Sequence, residues 1–193
     1  MSEPISRKDF LKEVFGFFRT EVEKESRNIG IAADSFLLPP GAGGQDEFLQ
    51  TCSQSYQCVS VCPYQAIEVF RNDPQDARYG YPVINPRRQA CYLCEDFPCI
   101  SACKSGALRM ERKTIPLGTA VVLKDICFSY KGIYCPSCVV KCPLSGIAIS
   151  MVDNKPVVQE EECTGCGICV QVCPTEQPAI RIKPSTQNRM EKR

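Results

Sequence analysis

The sequence predicts an α+β fold of four imperfect repeats, each made of a strand, a cysteine-bearing loop, a short helix and a second strand. The 15 cysteines fall into four groups separated by 20 to 28 residues. A similar phrase follows each group, CPYQAIEV, CKSGALRM, CPLSGIAI or CPTEQPAIRI, in which a short turn or helix leads into an apolar run typical of a strand. A β-branched pair precedes three of the groups, as expected of an entering strand. Each repeat is therefore expected to be a βαβ-type unit organised around its cysteines.

Composition restricts the chemistry that these repeats could perform. The chain has 193 residues but no histidine, which excludes Ser-His-Asp hydrolysis, histidine-ligated haem and mixed Cys/His zinc sites. Its formal net charge of +1 lacks the basic excess of a nucleic-acid-binding protein, so no nucleic-acid partner is expected. No apolar run is long enough for a transmembrane span. After these exclusions, the sequence favours a soluble protein whose chemistry depends on cysteine thiolates.

The fourth cysteine group carries the most specific signal. The run from Cys163 to Pro174 contains Cys166, Cys169 and Cys173 and matches the bacterial ferredoxin pattern C-x2-C-x2-C-x3-C-P at every ligand position. Three closely spaced thiolates can hold three corners of one cuboidal cluster, while the fourth cysteine reaches a neighbouring cluster. The sequence therefore predicts iron-sulfur clusters that occur in pairs.

The second and third groups keep this order but lengthen one loop each. Their cysteines are Cys91, Cys94, Cys99 and Cys103 in the second group, and Cys127, Cys135, Cys138 and Cys142 in the third. A longer surface loop costs little closure entropy, so both groups are still expected to bind clusters.

The first group lacks one ligand. Cys52, Cys58 and Cys62 align with the pattern, but Ser55 stands where the second cysteine is expected. Three outcomes are open at this position: loss of one iron to give a 3Fe-4S cluster, which we favour, ligation of a 4Fe-4S cluster by the serine alkoxide, or an open iron that binds water or a small ligand. Fifteen cysteines are thus sixteen ligand positions minus one.

Two other uses of cysteine fit the sequence less well. A disulfide framework is disfavoured by the odd cysteine count and by the unbroken C-x2-C-x2-C run. Zinc ribbons would need pairs of cysteine pairs rather than runs of three followed by C-P.

The N-terminal segment, residues 1–36, has a different character. Phe10, Leu11, Val14 and Phe18 recur at helical spacing among charged residues, which predicts an amphipathic helix. The run SRKDFLK resembles a twin-arginine export signal, but the following segment is too short and too charged for the apolar region of such a signal. We therefore expect a cytoplasmic protein, with periplasmic location by twin-arginine export or with an exported partner as the alternative.

From about residue 37 onward the chain resembles the NapG/MauM ferredoxin-type family, relatives of the four-cluster subunits of molybdenum oxidoreductases. The resemblance rests on PPGA and EFLQTC before the first group, YPVINPRRQACYLCEDFPCISAC, the Cys127–Cys142 segment and CTGCGICVQVCPTEQPAI. It implies two ferredoxin-like bicluster units within a domain over 37–183. The run PSTQNRMEKR over 184–193 is expected to be a polar tail. The outer unit would combine groups 52–62 and 163–173, and the inner unit groups 91–103 and 127–142.

The resemblance also implies which cysteines share a cluster. The implied sets are Cys52, Cys58 and Cys173 with Ser55 beside them; Cys163, Cys166, Cys169 and Cys62; Cys91, Cys94, Cys99 and Cys142; and Cys127, Cys135, Cys138 and Cys103. Sequential pairing, first group with second and third with fourth, is the alternative. It would exchange the distal ligands Cys62, Cys103, Cys142 and Cys173 between sites.

The function implied by these features is electron transfer rather than catalysis. Three 4Fe-4S clusters and one 3Fe-4S or serine-ligated 4Fe-4S cluster would pass single electrons. The family resemblance implies a quinol- or ferredoxin-linked donor and a redox enzyme as the acceptor. These partners are expected within an oxidoreductase complex, and one of them could be membrane-associated. The alternative is an assembly or scaffold subunit whose clusters are structural.

Overall fold

The computed structural model describes residues 36–185 as a mixture of short helices and short strands, in agreement with the predicted α+β class. The helices are α1 (Gln45–Thr51), α2 (Gln57–Ser60), α3 (Pro98–Ser101), α4 (Ser137–Val140) and α5 (Ile168–Gln171). The strands are β1 (Ile67–Val69), β2 (Pro82–Ile84), β3 (Gly118–Val122), β4 (Ile149–Val152), β5 (Lys155–Val158) and β6 (Ile180–Pro184). Single 3₁₀ turns cover Met110–Arg112 and Ser129–Lys131.

The strands form three two-stranded antiparallel sheets in the described part of the chain. Two of them are hairpins, β1–β2 and β4–β5, and the third joins the distant strands β3 and β6. The β4–β5 turn consists of Asp153 and Asn154, whose φ angles are 47° and 60°. Two residues with positive φ are typical of a type I′ turn, whose twist matches that of the flanking strands. The β4–β5 hairpin therefore returns the chain over a short distance.

A one-turn helix contains the second cysteine of the first group and the third cysteine of each of the other groups. α2, α3, α4 and α5 each carry a buried cysteine, namely Cys58, Cys99, Cys138 and Cys169. α2 packs against α3, and α4 packs against α5. Helices of four residues are not stable on their own, so they depend on what they pack around. The two helix pairs bring neighbouring cysteine groups together.

The hydrophobic core is distributed around the cysteines rather than concentrated in one aromatic centre. Leu37, Phe48, Ile84 and Ile182 are all but inaccessible to solvent and belong to the same cluster as several buried cysteines. Short sheets and single-turn helices cover the outside of this cluster. The centre of the fold is therefore lined by thiols as well as by aliphatic side chains.

Two expected segments fall outside the described residues. The amphipathic helix predicted over 1–36, including the SRKDFLK run, precedes Phe36, and the polar tail lies mostly beyond Ser185. Between residues 36 and 185, no helix has the length and apolar character needed to cross a bilayer.

Candidate iron-sulfur sites

All fifteen cysteines line one of four cavities, and none forms a disulfide. We number the cavities by their position in the molecule. Site I contains Cys52, Cys58, Cys103 and Ser55; site II contains Cys62, Cys91, Cys94 and Cys99; site III contains Cys142, Cys163, Cys166 and Cys169; site IV contains Cys127, Cys135, Cys138 and Cys173.

The four cavities do not group the cysteines in the outer and inner pairing implied by the resemblance. Cys173 lies with the third group in site IV rather than beside Cys52 and Cys58. Cys103 takes that place in site I, while Cys62 completes site II and Cys142 completes site III. The cavities instead group the cysteines as the sequential alternative does, first group with second and third with fourth.

The two hairpins explain this pairing. β1 starts five residues after Cys62, and the β1–β2 hairpin brings the chain back to Cys91 in the same cavity. In the same way the β4–β5 hairpin connects Cys142 to Cys163. The signal was present in the sequence, because ISMVDNKPVV has strand-like runs on both sides of a two-residue turn.

The four sites follow one another in a row. Sites I and II are adjacent because α2, which carries Cys58, packs against α3, which carries Cys99. Burial raises the pKa of Cys58 to about 12, and the nearby thiols of Cys52, Cys103 and Cys99 raise it further. Sites II and III meet where the Cys91 N–H donates a hydrogen bond to the Cys166 carbonyl at 3.0 Å.

Sites III and IV are adjacent because α4, which carries Cys138, packs against α5, which carries Cys169. Burial raises the pKa of Cys169 well above its ordinary value, and Cys138 of site IV contributes beside Cys166 and Cys163. The order along the molecule is therefore I, II, III, IV.

Burial also makes these thiols poor candidates for free thiolates. It raises the pKa of Cys91 to about 12 and those of Cys99 and Cys138 to about 11, with nearby cysteine charges adding to the effect. A buried cysteine of this kind ionises only when a cation replaces its proton. The cavities are therefore suited to thiolates that are held by metal.

Backbone amides point at the sulfur atoms. The N–H groups of Ala66, Leu108 and Ala179 donate hydrogen bonds to the Sγ atoms of Cys62, Cys103 and Cys173 at 3.3, 3.3 and 3.2 Å. These three cysteines are the last of their groups, and in each case the donor is the backbone N–H of a residue four to six positions later. Such hydrogen bonds stabilise negative charge on sulfur and tune the potential of a bound cluster.

Two side-chain hydroxyl groups also contact cysteine sulfur atoms, and these contacts were not predicted from the sequence. The Oγ of Ser105 lies 3.6 Å from Cys103 Sγ, and the Oγ1 of Thr175 lies 3.0 Å from Cys173 Sγ. Burial alone would raise the pKa of Cys103, yet hydrogen bonds from the Leu108 amide and the Ser105 hydroxyl lower it overall. The pattern Cys-x-Ser or Cys-x-Thr could have identified both hydroxyls.

Ser55, which stands where the ferredoxin pattern has its second cysteine, lines the cavity of site I. Gln54 and Tyr56 on either side of it have φ angles of 53° and 56°. Gly165 and Gly167, which flank Cys166 in site III, have φ angles of 68° and 87°. The loop around Ser55 thus keeps the conformation of a cysteine-bearing ligand loop.

The donor geometry fits a cluster better than a single ion. Among residues 36–185, no three His, Cys, Asp or Glu side chains converge closely enough to hold one metal ion. Each cysteine set instead surrounds a cavity with largely apolar walls, such as Ala120, Ile149, Ile168 and Ile182 in site III. Thiolate ligands, amides aimed at sulfur and exclusion of water are the features of an iron-sulfur site.

Comparison with known proteins agrees with this geometry. The profile of the 4Fe-4S dicluster domain matches residues 120–174, which contain the cysteines of sites III and IV. The methylamine utilization ferredoxin-type protein MauM of Paracoccus denitrificans is 38% identical over 160 residues, covering 77% of this chain and 71% of the relative.

Two further relatives give the same result. MauM of Methylophilus methylotrophus is 37% identical, covering 79% of this chain and 72% of its own length. The ferredoxin-type protein NapG of Escherichia coli is 34% identical, covering 77% of this chain and 70% of its own length. The chain belongs to the MauM/NapG family of ferredoxin-type proteins.

Proposed function

We propose that the protein carries single electrons between a donor and a redox enzyme, using iron-sulfur clusters at sites I to IV. The observation that supports this most directly is the row of four cysteine-lined sites. Clusters bound at these sites would supply reversible one-electron chemistry. The cysteines would hold them, the amides of Ala66, Leu108 and Ala179 would stabilise charge on sulfur, and the aliphatic walls would exclude water.

We further propose that the fold consists of two ferredoxin-like bicluster units with sequential pairing. The first would contain sites I and II, helices α2 and α3 and the β1–β2 hairpin. The second would contain sites III and IV, helices α4 and α5, the β4–β5 hairpin and the β3–β6 sheet. The match of a dicluster profile to 120–174 supports the second unit. The first unit is supported because it has an equivalent helix pair and hairpin.

The contacts between the two units would keep the row continuous. Besides the Cys91–Cys166 hydrogen bond, the Ala90 N–H donates to Gln171 Oε1 at 3.2 Å, and Gln171 Nε2 donates to Gln89 Oε1 at 3.2 Å. These bonds lie beside sites II and III, the two inner positions of the row. They would fix the separation across which an electron must pass between the units.

The proposed cofactors are three 4Fe-4S clusters at sites II, III and IV and a 3Fe-4S or serine-ligated 4Fe-4S cluster at site I. The donor would be linked to quinol or to another ferredoxin, and the acceptor would be an enzyme that performs the substrate chemistry. A cytoplasmic location is our proposal, with export as the alternative.

The test is an anaerobic redox titration followed by EPR, with iron and sulfide analysis. We expect about 15 irons per chain, a three-iron signal in the oxidised state and four-iron signals on reduction. Clusters that stay in one oxidation state at physiological potentials would favour a scaffold or assembly role. Colourless protein that is rich in zinc would exclude both functions.

A further inference from the structure

Site I differs from the other three sites at a single corner. Three cysteines from two groups, Cys52, Cys58 and Cys103, line it, and Ser55 supplies the only side chain at the remaining ligand position. Cys58 is 8% exposed, so this part of the cavity is well shielded. The question is what the fourth corner holds.

The backbone at this corner is prepared for a ligand. Gln54 and Tyr56 occupy the left-handed region, which is unfavourable for a residue with a Cβ. Glycine adopts the same conformation without this cost at the equivalent positions of site III, Gly165 and Gly167.

Local contacts hold the strained loop in place. The Tyr56 hydroxyl donates a hydrogen bond to the Gly80 carbonyl at 3.0 Å, and the Tyr56 carbonyl accepts one from the Val59 N–H at 3.0 Å. The loop is thus fixed to the 71–81 segment and to helix α2. It keeps the shape of a four-ligand site although its thiolate has been replaced.

Exposure and ligand strength distinguish Ser55 from the residue that takes this place in site III. Cys166 is 9% exposed, whereas Ser55 is an exposed residue. A serine hydroxyl is also a harder and less readily ionised ligand than a cysteine thiol, so it binds iron less firmly. A metal at this corner would be held from inside by inorganic sulfide, while its outer ligand would be a weak hydroxyl or water.

We propose that the Ser55 corner of site I is an exchangeable metal position, which takes up Fe²⁺ under reducing conditions and releases it on oxidation. The inference rests on the proposed iron-sulfur function. One electron from a reductant such as dithionite converts an oxidised [Fe3S4]⁺ core to [Fe3S4]⁰. Binding of Fe²⁺ then gives [Fe4S4]²⁺ with no further electron transfer. In the reverse direction Fe²⁺ leaves, and a one-electron oxidant such as ferricyanide restores [Fe3S4]⁺.

The test uses full-length protein purified anaerobically with all its clusters. We expect a three-iron EPR signal in the oxidised protein. Reduction with dithionite and addition of isotopically labelled Fe²⁺, followed by removal of excess metal, should abolish that signal and add one labelled iron per chain. Oxidation with ferricyanide should restore the signal and release the label. Zn²⁺ in place of Fe²⁺ should also be retained by the reduced protein.

Three variants separate the corner from the rest of the protein. Ser55→Cys should show no three-iron signal and no exchange, because a thiolate then holds the fourth iron. Ser55→Ala should still exchange, since water can replace the hydroxyl. Cys166→Ser provides the matched control: it opens the same corner in a buried position, and exchange there should be at least tenfold slower.

Two results would overturn the proposal. One is a wild-type protein that keeps its full iron content through the oxidation cycle and takes up no label, because Ser55 would then be a firm ligand. The other is an oxidised Ser55→Cys protein with an unchanged three-iron signal. By contrast, irreducible clusters at sites II to IV would contradict electron transfer, and the labelling result at site I would still stand by itself.

Discussion

Cys173 is the residue that best separates the two ways of pairing the cysteine groups. In the structure it lies in site IV with Cys127, Cys135 and Cys138, whereas the family resemblance implied a place beside Cys52 and Cys58. Replacement Cys173→Ser should therefore leave the EPR signal of site I unchanged and remove or alter one four-iron signal. Loss of the three-iron signal in this variant would restore the outer and inner pairing.

Cys103 provides the reciprocal test. It completes site I in the structure and is followed by the Leu108 amide, which donates to its Sγ at 3.3 Å. Cys103→Ser should abolish the three-iron signal, because only Cys52 and Cys58 would remain to hold that cluster. The four-iron signals of sites III and IV should persist. If a four-iron site disappears instead, Cys103 belongs elsewhere.

Ser105 should tune the potential of site I. Its Oγ lies 3.6 Å from Cys103 Sγ, and a hydrogen bond to a thiolate stabilises the more negative, reduced state. If that bond contributes about 1 kcal/mol, Ser105→Ala should lower the midpoint potential of site I by about 40 mV. EPR-monitored titration measures this shift.

Ser137 supplies the control for that measurement. Its Oγ lies 3.7 Å from Cys135 Sγ in site IV. Ser137→Ala should therefore move the potential of site IV and leave that of site I where it is. A Ser105→Ala protein with an unchanged or higher potential at site I would show that the hydroxyl does not donate to the sulfur.

At the level of single residues, the sequence predicted much of the site. The spacing of the cysteines identified every thiol that lines a cavity, and the gap in the first group identified Ser55. The hydrogen bonds to sulfur escaped prediction because backbone amides leave no mark in the sequence. The hydroxyls of Ser105 and Thr175 escaped because a serine or threonine near a cysteine is common in turns.

The ligand loop of site III depends on how closely it approaches strand β3. Gly165 has a φ of 68°, and a Cβ built on it would overlap the backbone of Gly118 at the start of that strand. Gly165→Ala should therefore suffer both left-handed strain, about 1–2 kcal/mol, and an overlap that costs about 1–3 kcal/mol more. We expect earlier thermal loss of cluster absorbance, measured anaerobically at a fixed scan rate because cluster loss is irreversible.

Gly106 is the matched control for this substitution. Its φ is 74°, yet nothing lies within 4 Å of a Cβ built there. Gly106→Ala should incur the conformational cost alone. It should lower the temperature midpoint of cluster loss by about half as much as Gly165→Ala. Equal shifts in the two variants would mean that the approach to Gly118 is unimportant.

Individual strands and helices were predictable from the sequence. Which cysteine groups the hairpins bring together was harder to predict. The Asp153–Asn154 turn favours a hairpin and therefore a short return from Cys142 to Cys163. The β1–β2 hairpin is harder to recognise, because its strands have three residues each and are joined by a long loop. Closure entropy favours sequential pairing only weakly: a loop of about 30 residues rather than about 100 gains about 1 kcal/mol.

For the whole molecule, the largest change on cluster binding is in charge. The polypeptide has a formal net charge of +1, and the four proposed clusters, each adding about two negative charges when oxidised, would give roughly −7 for the loaded protein. We predict that the loaded protein migrates as an anion near pH 7, while the metal-free chain has almost no mobility. Native electrophoresis under anaerobic conditions measures the difference.

The same charge should influence docking. A negative carrier is attracted to basic patches on its redox partners, so its association rate should fall as ionic strength rises. Stopped-flow reduction of the acceptor at increasing salt would measure this effect. A rate that does not depend on salt would mean that apolar contacts, rather than charge, dominate recognition.

Sequential pairing has a consequence for how the polypeptide matures during translation. Every thiol of sites I and II has been synthesised once Cys103 leaves the ribosome, and sites III and IV need only the stretch from Cys127 to Cys173. The N-terminal half could thus receive its iron while the remainder is still being made. The outer and inner pairing would leave the thiols of the first group without a complete site until Cys173 has been synthesised.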